Sequence, residues 1–130
     1  MLEVHDVSVR YGQHEALHGV SLNVAPGEIV VMLGANGAGK SSFLKALGGM
    51  VKAEPGARAM LGGTDLMQLP AHRIVEAGLA LVPEGRGVFG ELTVRENLQL
   101  GAHRARARAG EVQMLERVFQ LFPKLAQRLN

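Results

Sequence analysis

The stretch Glu28-Ile29-Val30-Val31-Met32-Leu33-Gly34-Ala35-Asn36-Gly37-Ala38-Gly39-Lys40-Ser41-Ser42-Phe43-Leu44-Lys45-Ala46-Leu47 decides how the rest of this chain is read. Its centre, Gly34 to Ser41, has the spacing G-x-x-x-x-G-K-[ST], which wraps a nucleotide triphosphate. The apolar, β-branched run before it predicts a buried strand over 28–33. The segment after it, Ser42 to Leu47, is helix-compatible and closes at Gly48-Gly49. Strand, glycine loop and helix form the order that phosphate binding requires. Gly34, Gly37 and Gly39 let the main chain approach the phosphates and turn N–H groups inward. The following helix adds its positive dipole end. Lys40 can reach the β- and γ-phosphates, and the Ser41 hydroxyl can ligate Mg²⁺. Ala35, Asn36, Ala38 and Ser42 complete the candidate nucleotide-binding set. The bland alternative for the same residues is a glycine-rich turn joining a strand to a helix.

The bulk properties narrow the class. At 130 residues the chain is at most one domain of ordinary size, or part of a larger one. It is 47% hydrophobic, enough for a core, and its mean hydropathy of +0.10 argues against disorder. Four Phe, one Tyr and no Trp are few for stacking single-stranded nucleic acid, and a net charge of +2 sets up no global field for polyanions. Neither feature suggests a nucleic-acid partner. The absence of cysteine excludes disulfides and cysteine-based metal sites. No run reaches the roughly 18 apolar residues of a membrane span. Glu3, His5 and Asp6 interrupt the start of the chain, so it does not read as a signal peptide. Together these features give a chain of cytosolic character.

Outward from the loop, Leu2 to Arg10 alternates as a strand, although its apolar face is not clean: Val4 falls on one side, Val7 and Val9 on the other. Ala16 to Val24 reads as a second strand ending at the Pro26-Gly27 turn. Ala57 to Leu61 predicts a short strand. Pro70 suits the first turn of a helix running to about Ala77 and ending at Gly78. Leu79 to Val82 reads as a further buried strand, stopped by Pro83. Thr93-Val94-Arg95-Glu96 has the form of a capping box opening a helix through Leu98 and Leu100. Beyond a basic segment, Val112, Leu115, Val118, Phe119 and Phe122 share one helical face, and Pro123 bends or restarts that helix. The chain therefore divides into a nucleotide-binding α/β core, 1–90, with its loop at 34–41, and the beginning of a helical part, 91–130.

Several separated segments together resemble one family, the ATP-binding subunits of ABC transporters, over essentially the whole length. The resemblance implies a P-loop NTPase fold of the α/β class, with an antiparallel β portion in front and the start of a helical subdomain behind. Tyr11, at the end of the first strand, stands where the family stacks an aromatic on adenine; on the chain alone it is an ordinary turn aromatic. Leu81-Val82-Pro83-Glu84 stands where the family carries a glutamine that reaches Mg²⁺ and the attacking water. Glu84 replaces that glutamine, and a carboxylate can still ligate Mg²⁺ or its water. The resemblance thus gives Lys40 and Glu84 catalytic parts and Ser41 and Glu84 the metal. ATP and Mg²⁺ are the cofactors it implies.

The run from Pro83 to Leu98 resembles one subgroup, the high-affinity branched-chain amino acid importers; related urea and amide importers look similar. The implied partners are a second ATP-binding subunit, the same or different, and membrane permease subunits contacted through Glu84 to Leu92. The implied place is the cytoplasmic face of the inner membrane, held there peripherally. Alternatives are a nucleotide-binding module without turnover, or a soluble ATPase of the same superfamily in DNA repair or translation.

The family's signature motif and its strand ending in Asp-Glu are not found among these residues. The expectation is a chain truncated before the signature, with an incomplete catalytic apparatus. The five histidines show no metal-binding arrangement, since His14 and His18 fall in a predicted strand. Arg104, Arg106 and Arg108 alternate with alanine and read as a solvated linker. Asp65 reads as a surface or capping residue. A central strand over 28–33 without neighbours would expose an apolar edge. The isolated chain is therefore expected to be marginally stable, aggregation-prone or paired with another copy. Calorimetry with light scattering checks this, and a cooperative melt of a monodisperse monomer contradicts it.

Overall fold

Side chains on a regular strand alternate between faces, so Val4 cannot share a face with Val7 and Val9. In a computed structural model of the chain all three are nevertheless fully buried. The structure describes residues 1–85, 87–102 and 108–129. Strand β1, Leu2–Tyr11, pairs antiparallel with β2, His14–Val24. Between Val4↔Leu22 and Val7↔Val20 the first strand advances by one residue more than its partner; between Val7↔Val20 and Val9↔Leu17 the second strand makes up the difference. These are opposed bulges. Asp6 takes φ +55° in the first, and Gly19 takes φ +57° in the second. Two serines replace ladder bonds at the bulges: the Asp6 N–H donates to Ser21 Oγ at 3.0 Å, and the Gly19 N–H donates to Ser8 Oγ at 2.8 Å. The bulge turns Val7 and Val9 onto the face of Val4, which resolves the mixed alternation of the sequence.

On its other side β1 pairs antiparallel with β3, Arg58–Leu61, and β3 with β4, Thr64–Asp65, giving the order β2-β1-β3-β4. Asp65 stands in β4, and its Oδ1 accepts from the N–H groups of Ala59 (3.2 Å) and Met67 (3.1 Å), capping the 3₁₀ turn Leu66–Gln68. Helix α1, Lys40–Leu47, buries Phe43, Ala46 and Leu47 at helical spacing. Helix α2, Ala71–Ala77, has Pro70 as its N-cap and ends at Gly78 with φ +106°. It buries Ile74. These helical side chains join Val4, Val7, Val9, Ala59 and Leu66 in one core.

The expected strands at 28–33 and 79–82 are corrected by the structure, since neither is assigned as a strand. Ile29 and Leu33 are each 91% exposed and Val82 90%. A strand is defined by its neighbours' N–H and C=O groups, and none of the described residues pairs with these segments. Apolar residues on both faces suit a strand covered on both sides, a condition that local sequence cannot itself supply.

The chain separates into two compact units, Met1–Leu81 and Val82–Asn130. The second is helical. Helix α3, Val94–Gly101, begins with a complete capping box. The Glu96 N–H donates to Thr93 Oγ1 at 3.2 Å, while Glu96 Oε2 accepts from the Thr93 N–H (2.8 Å) and hydroxyl (2.7 Å). Helix α4, Glu111–Leu121, is followed after Phe122 by α5, Pro123–Ala126, so the proline restarts the helix. Of the expected apolar face of α4, Leu115, Val118 and Phe119 are half-buried, whereas Val112 and Phe122 are exposed. Arg86, the stretch 103–107 with Arg104 and Arg106, and Asn130 lie outside the described residues.

Two expectations follow from these contacts. Replacing the fully buried Phe43 by alanine should cost about 3–5 kcal/mol, or abolish the unfolding transition. Ile29→Lys should move stability by no more than about 0.5 kcal/mol and reduce self-association. Urea unfolding with light scattering reads both. A third expectation concerns acid. Hydrogen bonds from the Thr93 hydroxyl and backbone N–H hold the Glu96 carboxyl below the ordinary value. Its folded pKa is thus lower than its unfolded one. The contribution of the cap is fully present above about pH 4.3 and is lost as pH falls through the lowered folded value. A carboxyl NMR titration should place Glu96 below the ordinary glutamate value, and Thr93→Ala, which keeps only the backbone N–H bond, should reduce the difference.

Candidate functional site

The glycine loop at 34–41 is shaped from both flanks. At its downstream end Gly39 takes φ +85° as the N-cap of α1. Strand β2 passes so close that a Cβ on Gly39 would lie 2.3 Å from the Ala16 carbonyl oxygen. Both the dihedral and the contact exclude a side chain here. Upstream, the Ala38 N–H donates to the Ala35 carbonyl at 3.1 Å and tightens the turn. The Lys40 ammonium then closes the ring, donating to the carbonyls of Gly34 (2.6 Å) and Ala35 (2.7 Å). A Cβ on Gly34 would fall 3.2 Å from the Ala38 Cβ and 3.8 Å from Lys40 Nζ, so the missing side chain keeps the loop interior open beside the ammonium.

The electrostatics of this loop are one-sided. Helix α1 carries no acidic residue in its first turn, and no side chain caps it. The N–H groups of Lys40, Ser41 and Ser42 therefore have no acceptor within the helix. Ala35, Asn36, Gly37, Ala38 and Ser41 are exposed, so the loop faces solvent. Free amides, a helix N-terminus and a half-buried ammonium converge on one open loop. That arrangement can hold a polyanion of phosphate type.

Tyr11 is brought to the same place. It is the last residue of β1 and is 47% exposed, and its hydroxyl donates to Ser42 Oγ at 3.4 Å. The strand ends behind it are pinned by an ion pair, Arg10 to Glu15, at 2.8 Å. The Arg10 guanidinium holds the Glu15 carboxyl below the ordinary carboxylate value, and Glu15 raises Arg10 in return. Of the expected site residues, the structure thus gathers Tyr11, Gly34 to Gly39, Lys40, Ser41 and Ser42 within one unit. Glu84 belongs to the second unit, where it is exposed at a bend before Gly85. Among the described residues no group of three His, Cys, Asp or Glu side chains forms a metal site.

Asn97 was missed by sequence reasoning. Its Oδ1 accepts from the Phe89 N–H at 2.9 Å, and its Nδ2 donates to the carbonyls of Phe89 (3.0 Å), Leu92 (3.2 Å) and Thr93 (3.0 Å). One amide therefore ties down the backbone of residues 89–93, while the side chains of Val88 and Phe89 stay 62% exposed. The capping box ahead of it was the available signal, because it fixes the helix start from which Asn97 reaches back. His14 and His18 lie on β2 and are exposed, and His18 Nδ1 stands 3.3 Å from Glu15.

Comparison with known proteins extends this geometry to a family. The family model described as ABC transporter matches residues 17–129. The high-affinity branched-chain amino acid transport ATP-binding protein BraG of Pseudomonas aeruginosa is 45% identical over 128 residues, which is 98% of this chain and 54% of that protein. A solved ATP-binding subunit of an ABC transporter superimposes with a TM-score of 0.81 at 30% identity, covering 99% of this chain and 52% of its own. A dimeric ATP-binding cassette in a post-hydrolysis state, bound to ADP and Pi, shares the fold with a TM-score of 0.67 at 22% identity, over 89% of this chain and 56% of its own. The chain spans about half the length of these relatives. With a phosphate-type loop of this geometry and a family match over most of its length, the chain belongs to the ABC transporter family.

Proposed function

We propose that this chain supplies the nucleotide-binding part of an ATP-binding subunit that couples ATP hydrolysis to import of branched-chain amino acids. The observation that carries the proposal is the Lys40 ammonium closed onto the Gly34 and Ala35 carbonyls at the open N-terminus of α1. The solute reading rests on the likeness to BraG. The 34–39 amides and Lys40 bind the triphosphate, Ser42 adds a hydroxyl, and Tyr11 stacks on adenine. Ser41 would hold Mg²⁺, which neutralises phosphate charge when bound. Lys40 stabilises the negative charge that moves onto the β–γ bridge during phosphoryl transfer.

The proposal extends to partners. A second ATP-binding subunit, the same or different, faces this one, and permease subunits meet residues 84–92. Asn97 supports that contact by holding the backbone of 89–93 while Phe89 projects outward. No helix among the described residues is long and apolar enough to cross a membrane, so the proposed membrane association runs through the permease. The core of 1–90 carries the nucleotide, and the permease contact at 84–92 spans its end and the start of the helical part at 91.

Equilibrium binding of ATP and phosphate release by the 130-residue chain test the reading, with Lys40→Ala as control. We expect Lys40→Ala to weaken ATP binding by about 1.5–3 kcal/mol, the value of a hydrogen bond to a charged group. Equal binding by both proteins overturns the reading. Binding without turnover supports the nucleotide-binding module, and turnover lost in the variant supports the ATPase.

A further inference from the structure

One link at the loop plays no part in the function just proposed. The Tyr11 phenol donates to Ser42 Oγ at 3.4 Å, joining the end of β1 to the first turn of α1. The β1–β2 hairpin also meets the loop independently of that bond. Strand β2 lies against the loop at Gly39 so closely that no Cβ fits beside the Ala16 carbonyl. The last register pairs of the hairpin, Arg10↔Glu15 and Tyr11↔His14, place Tyr11 at the tip of that same hairpin. The backbone of Tyr11 is therefore held over the loop, but the residue is 47% exposed. Without a partner for the phenol, such a side chain is free to exchange rotamers.

We infer that Ser42 is a positioning residue for Tyr11. Its hydroxyl anchors the phenol, so the ring stands at the mouth of the loop before any adenine nucleotide arrives. A serine hydroxyl has two lone pairs and one proton. Ser42 can therefore accept from Tyr11 and still donate its own proton toward a phosphate oxygen. The base end and the phosphate end of the site then share one hydroxyl, and ordering either end favours the other. The functional meaning of the anchor rests on the proposed reading of Tyr11 as the adenine platform. The anchor itself is measurable without nucleotide.

The sequence makes that measurement direct: Tyr11 is the single tyrosine and there is no tryptophan, so the intrinsic emission of the chain comes from this ring. Emission anisotropy and acrylamide quenching are recorded for the 130-residue chain and for Ser42→Ala and Ser42→Thr. Ser42→Ala should lower the anisotropy and raise the quenching constant, and Ser42→Thr, which keeps the hydroxyl, should match the parent. An unchanged ring in Ser42→Ala, with the same circular dichroism, overturns the inference.

A second arm compares ATP with inorganic tripolyphosphate. Tyr11→Phe keeps the ring but removes the anchor, and should weaken ATP about threefold while weakening tripolyphosphate less. The losses from Tyr11→Phe and Ser42→Ala should combine to less than their product for ATP; independent multiplication overturns the link. If tripolyphosphate binds the parent chain but ATP leaves Tyr11 emission unchanged, the adenine reading fails. The anchor is then decided by the nucleotide-free arm alone.

Discussion

The contact on which the first unit depends is the seating of β2 against Gly39. A carbonyl oxygen at Ala16 occupies the place where any side chain at position 39 would begin. The same residue needs a left-handed φ to start α1. One position thus sets the direction of the helix, the curvature of the loop and the closeness of the hairpin. The hairpin in turn carries Tyr11, and the helix carries Lys40, Ser41 and Ser42. Their grouping rests on this steric allowance together with the core that Phe43, Ala46 and Leu47 share with Val4, Val7 and Val9.

The hairpin can take that seat because a bulge at Asp6 corrects its core face, and an opposed bulge at Gly19 restores the register. Val4, Val7 and Val9 would otherwise split between faces, losing at least one buried valine, worth about 1.5–3 kcal/mol. The left-handed φ of Asp6 costs something on the order of 1–3 kcal/mol, since a non-glycine residue rarely adopts it. The two effects are of similar size. The serine hydroxyls decide the balance by meeting the bulge N–H groups that would otherwise lose their partners.

The second unit solves a different problem with short-range chemistry. The capping box satisfies amides at the start of α3, and Asn97, one residue after its Glu96, turns back to hold the preceding loop. A loop held through its main chain is free to present its side chains. That is the arrangement expected of a contact surface, and it explains how Phe89 can be ordered at its backbone and exposed at its ring.

Much of the candidate site was legible in the sequence because its determinants are local. The spacing from Gly34 to Ser41 is a covalent distance, and helix α1 follows it through its own periodicity. The capping box, the proline at the start of α2 and the glycine at its end are equally local, and so were readable. Tyr11 could be singled out only through family resemblance, since no spacing rule links residue 11 to residue 42. Strand character over 28–33 and 79–82 was expected from composition, but pairing is a property of neighbours, and composition names none. The burial of Val7 and Val9 with Val4, the meeting of Gly39 with Ala16 and the bond from Tyr11 to Ser42 were decided by tertiary structure alone. Each joins residues whose approach depends on how strands cross and bulge. The sequence by itself determined a phosphate-type loop and the helix behind it; only folding determined which side chains surround them.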